Sequence, residues 1–80
     1  MHYVYLIQSI PYPKQRYVGV TSDLNGRLKA HNQGSSPHTS KHKPWMLVTC
    51  LAFSDKSKAV EFERYLKSGS GHAFANKRLW

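Results

Sequence analysis

Residues 3–20 read YVYLIQSIPYPKQRYVGV, and the way this stretch divides decides the fold. Tyr3 to Gln8 and Arg16 to Val20 are rich in aromatic and β-branched residues, whose side chains suit a pleated surface. The SIPYPKQ segment between them carries two prolines, which forbid a helix there. The stretch therefore predicts a β-hairpin with a long loop. Side chains alternate along a strand, so Tyr3, Tyr5 and Ile7 share one face of the first strand, and Tyr17 and Gly19 share one face of the second. Two tyrosines can thus stand near each other across the sheet. The ordinary reading is a cross-strand aromatic pair with hydroxyls at the solvent edge. Gly19 points further, because a glycine inside a strand costs stability and marks close approach of a ligand or another backbone.

Downstream of the hairpin, Thr21-Ser22-Asp23 supplies N-cap chemistry and Gly34 supplies a stop, which predicts a helix from Asp23 to about Gln33. Leu24 and Leu28 mark its inward face, and the helical wheel places Arg27 and His31 one turn apart beside that stripe. The plain reading is an Asp23–Arg27 helix pair with an incidental His31. The sharper one is a guanidinium fork for phosphate and an imidazole that accepts or relays a proton near neutral pH. Gly34 to Pro44 (GSSPHTSKHKP) has turn formers, hydroxyls and no apolar residue except proline, which predicts an exposed loop. Its Lys41 and Lys43 are candidate phosphate contacts. His38 and His42, with His31 or Cys50, could be drawn as a zinc set, but paired ligand motifs are absent. Trp45 to Phe53 (WMLVTCLAF) is a nearly continuous apolar run, the pattern of a strand buried on both faces, central in the sheet or covered on both sides.

Ala59 to Lys67 (AVEFERYLK) reads as an amphipathic helix in which Ala59, Phe62 and Leu66 form the apolar stripe. Glu63 projects within that stripe while Glu61 points the opposite way. A carboxylate facing the body of a protein needs a cationic partner or a metal. The alternative is a rim Glu bonded to a neighbouring Lys or Arg. Ser54-Asp55 caps this helix, Gly69 is read as its end, and Lys67 in its last turn is a third candidate phosphate contact. His72 to Trp80 predicts a short third helix.

Eighty residues set the scale of one domain, residues 1–80. Twelve Lys and Arg against four Asp and Glu give a net charge of +8. That excess attracts polyanions, with nucleic acid the leading partner class and an anionic membrane surface the second. No apolar run approaches the roughly 18 residues of a membrane span, and no basic-then-apolar leader precedes the first strand, so the expectation is a soluble, cytoplasmic protein. Cys50 is the only cysteine. It lies in an apolar run and reads as a small buried hydrophobe.

A strand reading YVYLI, a second reading YVG some ten residues on, a helix with Arg-x-x-x-His and a later helix with an inward Glu together resemble the GIY-YIG nuclease superfamily. The stretch Ala59 to Lys67 followed by SGSG is similar to the corresponding helix of the small, single-domain bacterial members, whose catalytic module also occurs in the incision subunit of nucleotide excision repair. The resemblance implies an α+β fold, a small α/β sandwich in which a three-stranded antiparallel sheet is flanked by helices in the order β-β-α-β-α-(α). Val4-Tyr5 falls at the end of the first signature and Tyr17-Val18-Gly19 on the second. Arg27 and His31 fall on the basic helix positions, Glu63 on the metal-binding carboxylate, and the late Asn close to Asn76. Tyr3 replaces the glycine that names the first motif and Val18 the isoleucine of the second. Val20 stands where some members carry a lysine, which removes a cation that could help activate the nucleophile.

What the resemblance implies chemically is a metal-dependent DNA endonuclease acting in repair, recombination or processing. Glu63 would hold one Mg2+ or Mn2+, a hard cation that accepts a lone carboxylate and completes its shell with water and phosphate oxygen. Arg27 would clamp the non-bridging oxygens. Tyr5 or Tyr17 would deprotonate or orient the attacking water, with Tyr5 favoured as base and Tyr17 as the orienting partner. A phenol titrates near pH 10 (about 10) when unperturbed, so a base of this kind needs a nearby cation or a hydrogen bond to His31. The substrate form stays open among single-stranded, duplex and branched DNA, with RNA a further option. The alternatives are a non-catalytic nucleic-acid-binding module that keeps the fold, and a basic adaptor within a repair complex.

Overall fold

In the computed structural model, which describes residues 1–80, the hairpin forms between β1 (His2–Ser9) and β2 (Arg16–Thr21). The strands pair antiparallel with Tyr5 opposite Gly19 and Ile7 opposite Tyr17. Helix α1 (Leu24–Gln33) follows, capped by the Asp23 carboxylate on the Gly26 N–H and closed by Gly34 in the left-handed conformation at φ 78°. A single 3-10 turn (Ser40–His42) leads into β3 (Trp45–Phe53), and the chain ends in α2 (Lys56–Leu66) and α3 (Gly69–Arg78). The protein is therefore an α+β fold with a three-stranded antiparallel sheet in the order β2-β1-β3. No helix is long and apolar enough to cross a membrane.

The alternation along β1 divides the core in two. Val4 and Leu6 point to one face, where Ala59, Leu66 and Ala75 of α2 and α3 pack on them. Tyr5 and Ile7 point to the other, against Trp45, Tyr17, Leu24 and Leu28. Helix α1 thus covers one side of the sheet and the α2–α3 pair the other. The two layers meet at the outer edge of β2, where Lys67 Nζ of the α2 C-cap lies 5.9 Å from the Tyr17 ring centre.

Two expectations are corrected by this topology. The central strand is β1, with Val4 to Ile7 fully buried, and not β3. β3 is an edge strand, and Met46 and Leu47 are 47% and 39% exposed. A continuous apolar run signals burial but does not say in which strand it is most complete, and YVYLI is as apolar as the WMLVTCLAF run. Gly69 does not end α2, which closes at Lys67. It opens α3 behind the Ser68 N-cap, whose hydroxyl accepts from the Gly71 N–H. The glycine with a steric duty in SGSG is Gly71, where a Cβ would fall 2.9 Å from the Leu66 Cα and prevent the two helices from closing on each other.

Candidate active site

Three elements, β1, β2 and α1, deliver Tyr5, Tyr17, Arg27 and His31 to one place. Tyr5 leans across its partner Gly19, where a Cβ would stand 2.5 Å from the Tyr5 Cζ. The close approach that Gly19 marks is thus the Tyr5 ring itself, not a ligand. The Tyr5 and Tyr17 ring centres are 6.3 Å apart, and His31 lies 5.7 Å from the first and 5.2 Å from the second, edge-on. Arg27 is one turn before His31 on α1. The Asp23 carboxylate is engaged at the helix N-cap, so the predicted Asp23–Arg27 pair does not form, and Arg27 Nε instead donates to the Tyr5 hydroxyl at 3.4 Å.

The polarity of the hydrogen bonds follows from Arg27. A guanidinium only donates, so the Tyr5 oxygen accepts from it. Tyr5 is 1% exposed, and the other partner of its hydroxyl is His31 Nε2 at 2.8 Å. The phenolic hydrogen therefore goes to Nε2 to avoid a buried unpaired donor. Nδ1 then carries the imidazole hydrogen and donates to Thr39 Oγ1 at 2.7 Å. The result is a buried relay Arg27–Tyr5–His31–Thr39. It requires a neutral imidazole, and burial, aided by the Arg27 charge, lowers the His31 pKa. Burial raises the Tyr5 pKa, opposed by the Arg27 hydrogen bond, so the phenol rests protonated. The same bond keeps Arg27 firmly charged.

Thr39 was outside the predicted set, and the loop that bears it differs from expectation. Ser36 and Thr39 are buried, at 7% and 1% exposure. The Thr39 carbonyl accepts the Trp45 indole N–H at 2.9 Å, and the Asn32 side chain pairs with the Trp45 backbone in both directions. These bonds dock the end of α1 on the start of β3 and fix the depth of His31. A lone hydroxyl inside GSSPHTSKHKP carries no sequence signal for such a contact, because the partner is eight residues away across a loop. Lys41 and Lys43 are exposed on the same segment.

Glu63 approaches from the opposite layer. Its side chain is 14% exposed and forms an ion pair with Lys67, one turn on. The same ammonium lies 5.9 Å from the Tyr17 ring centre, which puts the carboxylate near the β2 edge, and its negative charge acts against ionisation of Tyr5. The contact that the structure shows is the one with a neighbouring lysine. No three His, Cys, Asp or Glu side chains converge anywhere. His42 packs edge-on against Tyr12 and Trp45, and His31 belongs to the relay. A protein-only metal cage is therefore not what this chain builds. A single carboxylate is a donor of the kind that Mg2+ or Mn2+ use, since these bind through one or two carboxylates and complete their shell with water and phosphate oxygen, but the Lys67 ammonium competes for it. Asn76 lies on α3 outside the relay, its Oδ1 accepting from Arg16 Nη1 at 3.2 Å beside Tyr17. Burial pushes the Cys50 thiol up, away from nucleophilic use.

Comparison with known proteins places these residues in context. The family model described as the GIY-YIG catalytic domain matches residues 1–77. The chain is 32% identical over 83 residues to the structure-specific endonuclease subunit SLX1 of Candida dubliniensis, covering 95% of this chain and 28% of that protein. It thus spans little more than a quarter of that relative. It is 33% identical over 70 residues to the UPF0213 protein SH2523 of Staphylococcus haemolyticus, covering 86% of this chain and 83% of that one. The solution structure of the UPF0213 protein BH0048 of Bacillus halodurans superposes with a TM-score of 0.56 at 29% identity, over 95% of this chain and 82% of that one.

Proposed function

The chain belongs to the GIY-YIG catalytic-domain family, and on that footing we propose that it is an endonuclease that hydrolyses DNA phosphodiester bonds with one Mg2+ or Mn2+. The observation that carries this reading is the buried relay from Arg27 through Tyr5 to a neutral His31. A phenol held in this way can take a proton from water only while it gives its own away, and His31 Nε2 stands 2.8 Å off to receive it. The attacking water loses its proton to Tyr5 as the Tyr5 proton passes to His31, so no free phenolate accumulates. Thr39 holds the imidazole in the accepting tautomer.

Tyr17 is half-buried and borders both Tyr5 and His31, a position from which it orients the water. Arg27 donates one N–H to Tyr5 and has others for the non-bridging phosphate oxygens, where charge grows in the transition state. Glu63 is the group that would hold the divalent cation, with Lys67 beside it. When bound, that cation supplies charge neutralisation at the departing oxygen. Lys41, Lys43 and Lys67 contribute to the field that attracts the polyanion, in a chain with a net charge of +8. A place in DNA repair or processing and a cytoplasmic location are part of the same proposal, the first supported by the similarity to the structure-specific endonuclease subunit SLX1.

The test is cleavage of labelled DNA, which is expected of the wild type with Mg2+ or Mn2+ and should be lost in Glu63→Ala and Arg27→Ala. Undiminished cleavage in both variants overturns the mechanism. The Glu63–Lys67 ion pair favours a second reading, a nucleic-acid-binding module without catalysis, because it leaves no free carboxylate. In that case DNA binding falls with salt but is indifferent to metal and to Glu63.

A further inference from the structure

Tyr17 has two neighbourhoods. One is the relay, through Tyr5 and His31. The other is a groove of about 330 Å3 that it lines together with Arg16, Lys67, His72 and Trp80. That volume lies at the lower end of the range for small-ligand sites, roughly 300–1,000 Å3. Within its lining the Arg16 guanidinium stacks on Trp80, its carbon 4.8 Å from the ring centre. Asn76 holds the guanidinium by the 3.2 Å hydrogen bond to Nη1, and Trp80 packs against the Val4–Leu6–Ala59 core. The Arg16–Trp80 pair is thus anchored from both sides, and no carboxylate neutralises Arg16. Lys67, paired with Glu63, lies above the Tyr17 ring, and its side chain is 55% exposed and open to a phosphate.

We propose that this groove is a subsite for one unpaired nucleotide next to the phosphate held by Arg27. Its base stacks on the Arg16–Trp80 platform and its phosphate meets Lys67. The inference rests on the nuclease reading for the identity of that phosphate, and it goes further by naming the kind of substrate. A flat aromatic and guanidinium surface beside cations is what unstacked bases bind, whereas a continuous duplex keeps its bases inside and offers only backbone to a groove this shallow. The consequence is a preference for DNA with an unpaired nucleotide at the cut, as in a single strand, a flap or a branch.

Tryptophan fluorescence tests this directly, since Trp45 is only 5% exposed and Trp80 is the indole that a base reaches. The readout is titration of the full chain bearing Glu63→Gln with an oligothymidylate and, at the same salt, with a hairpin duplex. Saturable quenching is expected with the single strand. Affinity is read in parallel from the anisotropy of end-labelled DNA, since Trp80→Leu removes the reporting indole: in both Arg16→Ala and Trp80→Leu single-strand affinity falls by about tenfold, the size of one base stack, while duplex affinity changes less than about twofold. The absence of quenching, or an equal loss for both DNA forms in Arg16→Ala, overturns the subsite. Arg16 is exposed, so its removal leaves the core intact even if Trp80→Leu unfolds. A wild type that cleaves nothing but keeps the Arg16-dependent quenching sinks the nuclease reading alone. Glu63-dependent cleavage of flaps that ignores Arg16 sinks the subsite alone.

Discussion

Tyr5 occupies the space that a side chain at Gly19 would need: the two are cross-strand partners, and a Cβ at Gly19 would stand 2.5 Å from the phenol carbon Cζ. Because the Tyr5 hydroxyl is tied to His31 at 2.8 Å, the ring cannot swing aside without leaving the relay. Gly19→Ala is therefore expected to destabilise the fold by about 1–3 kcal/mol, the usual cost of overpacking a buried site. Cleavage, measured well below the variant's melting temperature, should drop to near the level of Tyr5→Phe. An unaltered melting temperature would mean that the ring has room that the geometry denies it.

In the proposed mechanism the protonation of His31 sets the acid limit of cleavage. Its pKa in the folded chain is lowered by burial and by Arg27 from the ordinary value of 6.5. Between those two values the unfolded chain binds more protons than the folded one, so stability is present above pH 6.5 and is lost as pH falls through the folded value. A protonated imidazole cannot accept the Tyr5 hydrogen, so cleavage declines over the same window. A pH profile of single-turnover cleavage, run beside an NMR titration of the His31 ring, should give coincident midpoints below 6.5. A midpoint at or above that value removes His31 as the acceptor.

Thr39 acts through His31 and is a positioning residue. Thr39→Val keeps the shape but removes the acceptor of the Nδ1 hydrogen, leaving a buried donor unpaired at a cost of about 1–3 kcal/mol. Cleavage should fall by about tenfold or more, since each 1.4 kcal/mol of misplaced interaction is about a factor of ten. The acid midpoint of the pH profile should move with it, a change that loss of stability alone does not produce. Thr39→Ser restores the hydroxyl and should recover most of both. If serine rescues nothing, the hydroxyl is not what holds the imidazole.

The sequence displays those parts of the site that are periodic. Tyr5, Tyr17 and Gly19 alternate on strands, and Arg27 and His31 are one helical turn apart, so local geometry alone brings each to the correct face. The contacts that complete the relay are not periodic. Thr39 reaches His31 across a loop, and the buried Trp45–Asn32 pairing that sets its depth joins two elements by side-chain chemistry. The apolar stretch from Trp45 to Phe53 misleads for a related reason. Strand order depends on which strand finds two partners, and β1 does so while β3 stays at the edge. Glu63 was legible as a carboxylate facing inward, but Lys67 four residues on is also in helical register with it, and the pattern does not say which partner prevails.

That competition yields the most decisive measurement on the metal. The Lys67 side chain is 55% exposed and that of Glu63 14%, so solvent reaches the pair from the lysine side, and an i,i+4 helix pair screened in this way contributes about 0.3–0.5 kcal/mol. Lys67→Met should therefore leave the melting temperature almost unchanged. It does remove the ammonium that a divalent cation must displace from the carboxylate. Amide NMR of the chain without nucleic acid should show Mg2+ shifts centred on Glu63, with a half-saturating concentration about twofold lower in Lys67→Met, the factor that 0.4 kcal/mol represents (about 0.4). Glu63→Gln should abolish them. Shifts that survive in Glu63→Gln would place the cation elsewhere, and equal affinities in wild type and Lys67→Met would mean that the lysine and the metal do not share the carboxylate.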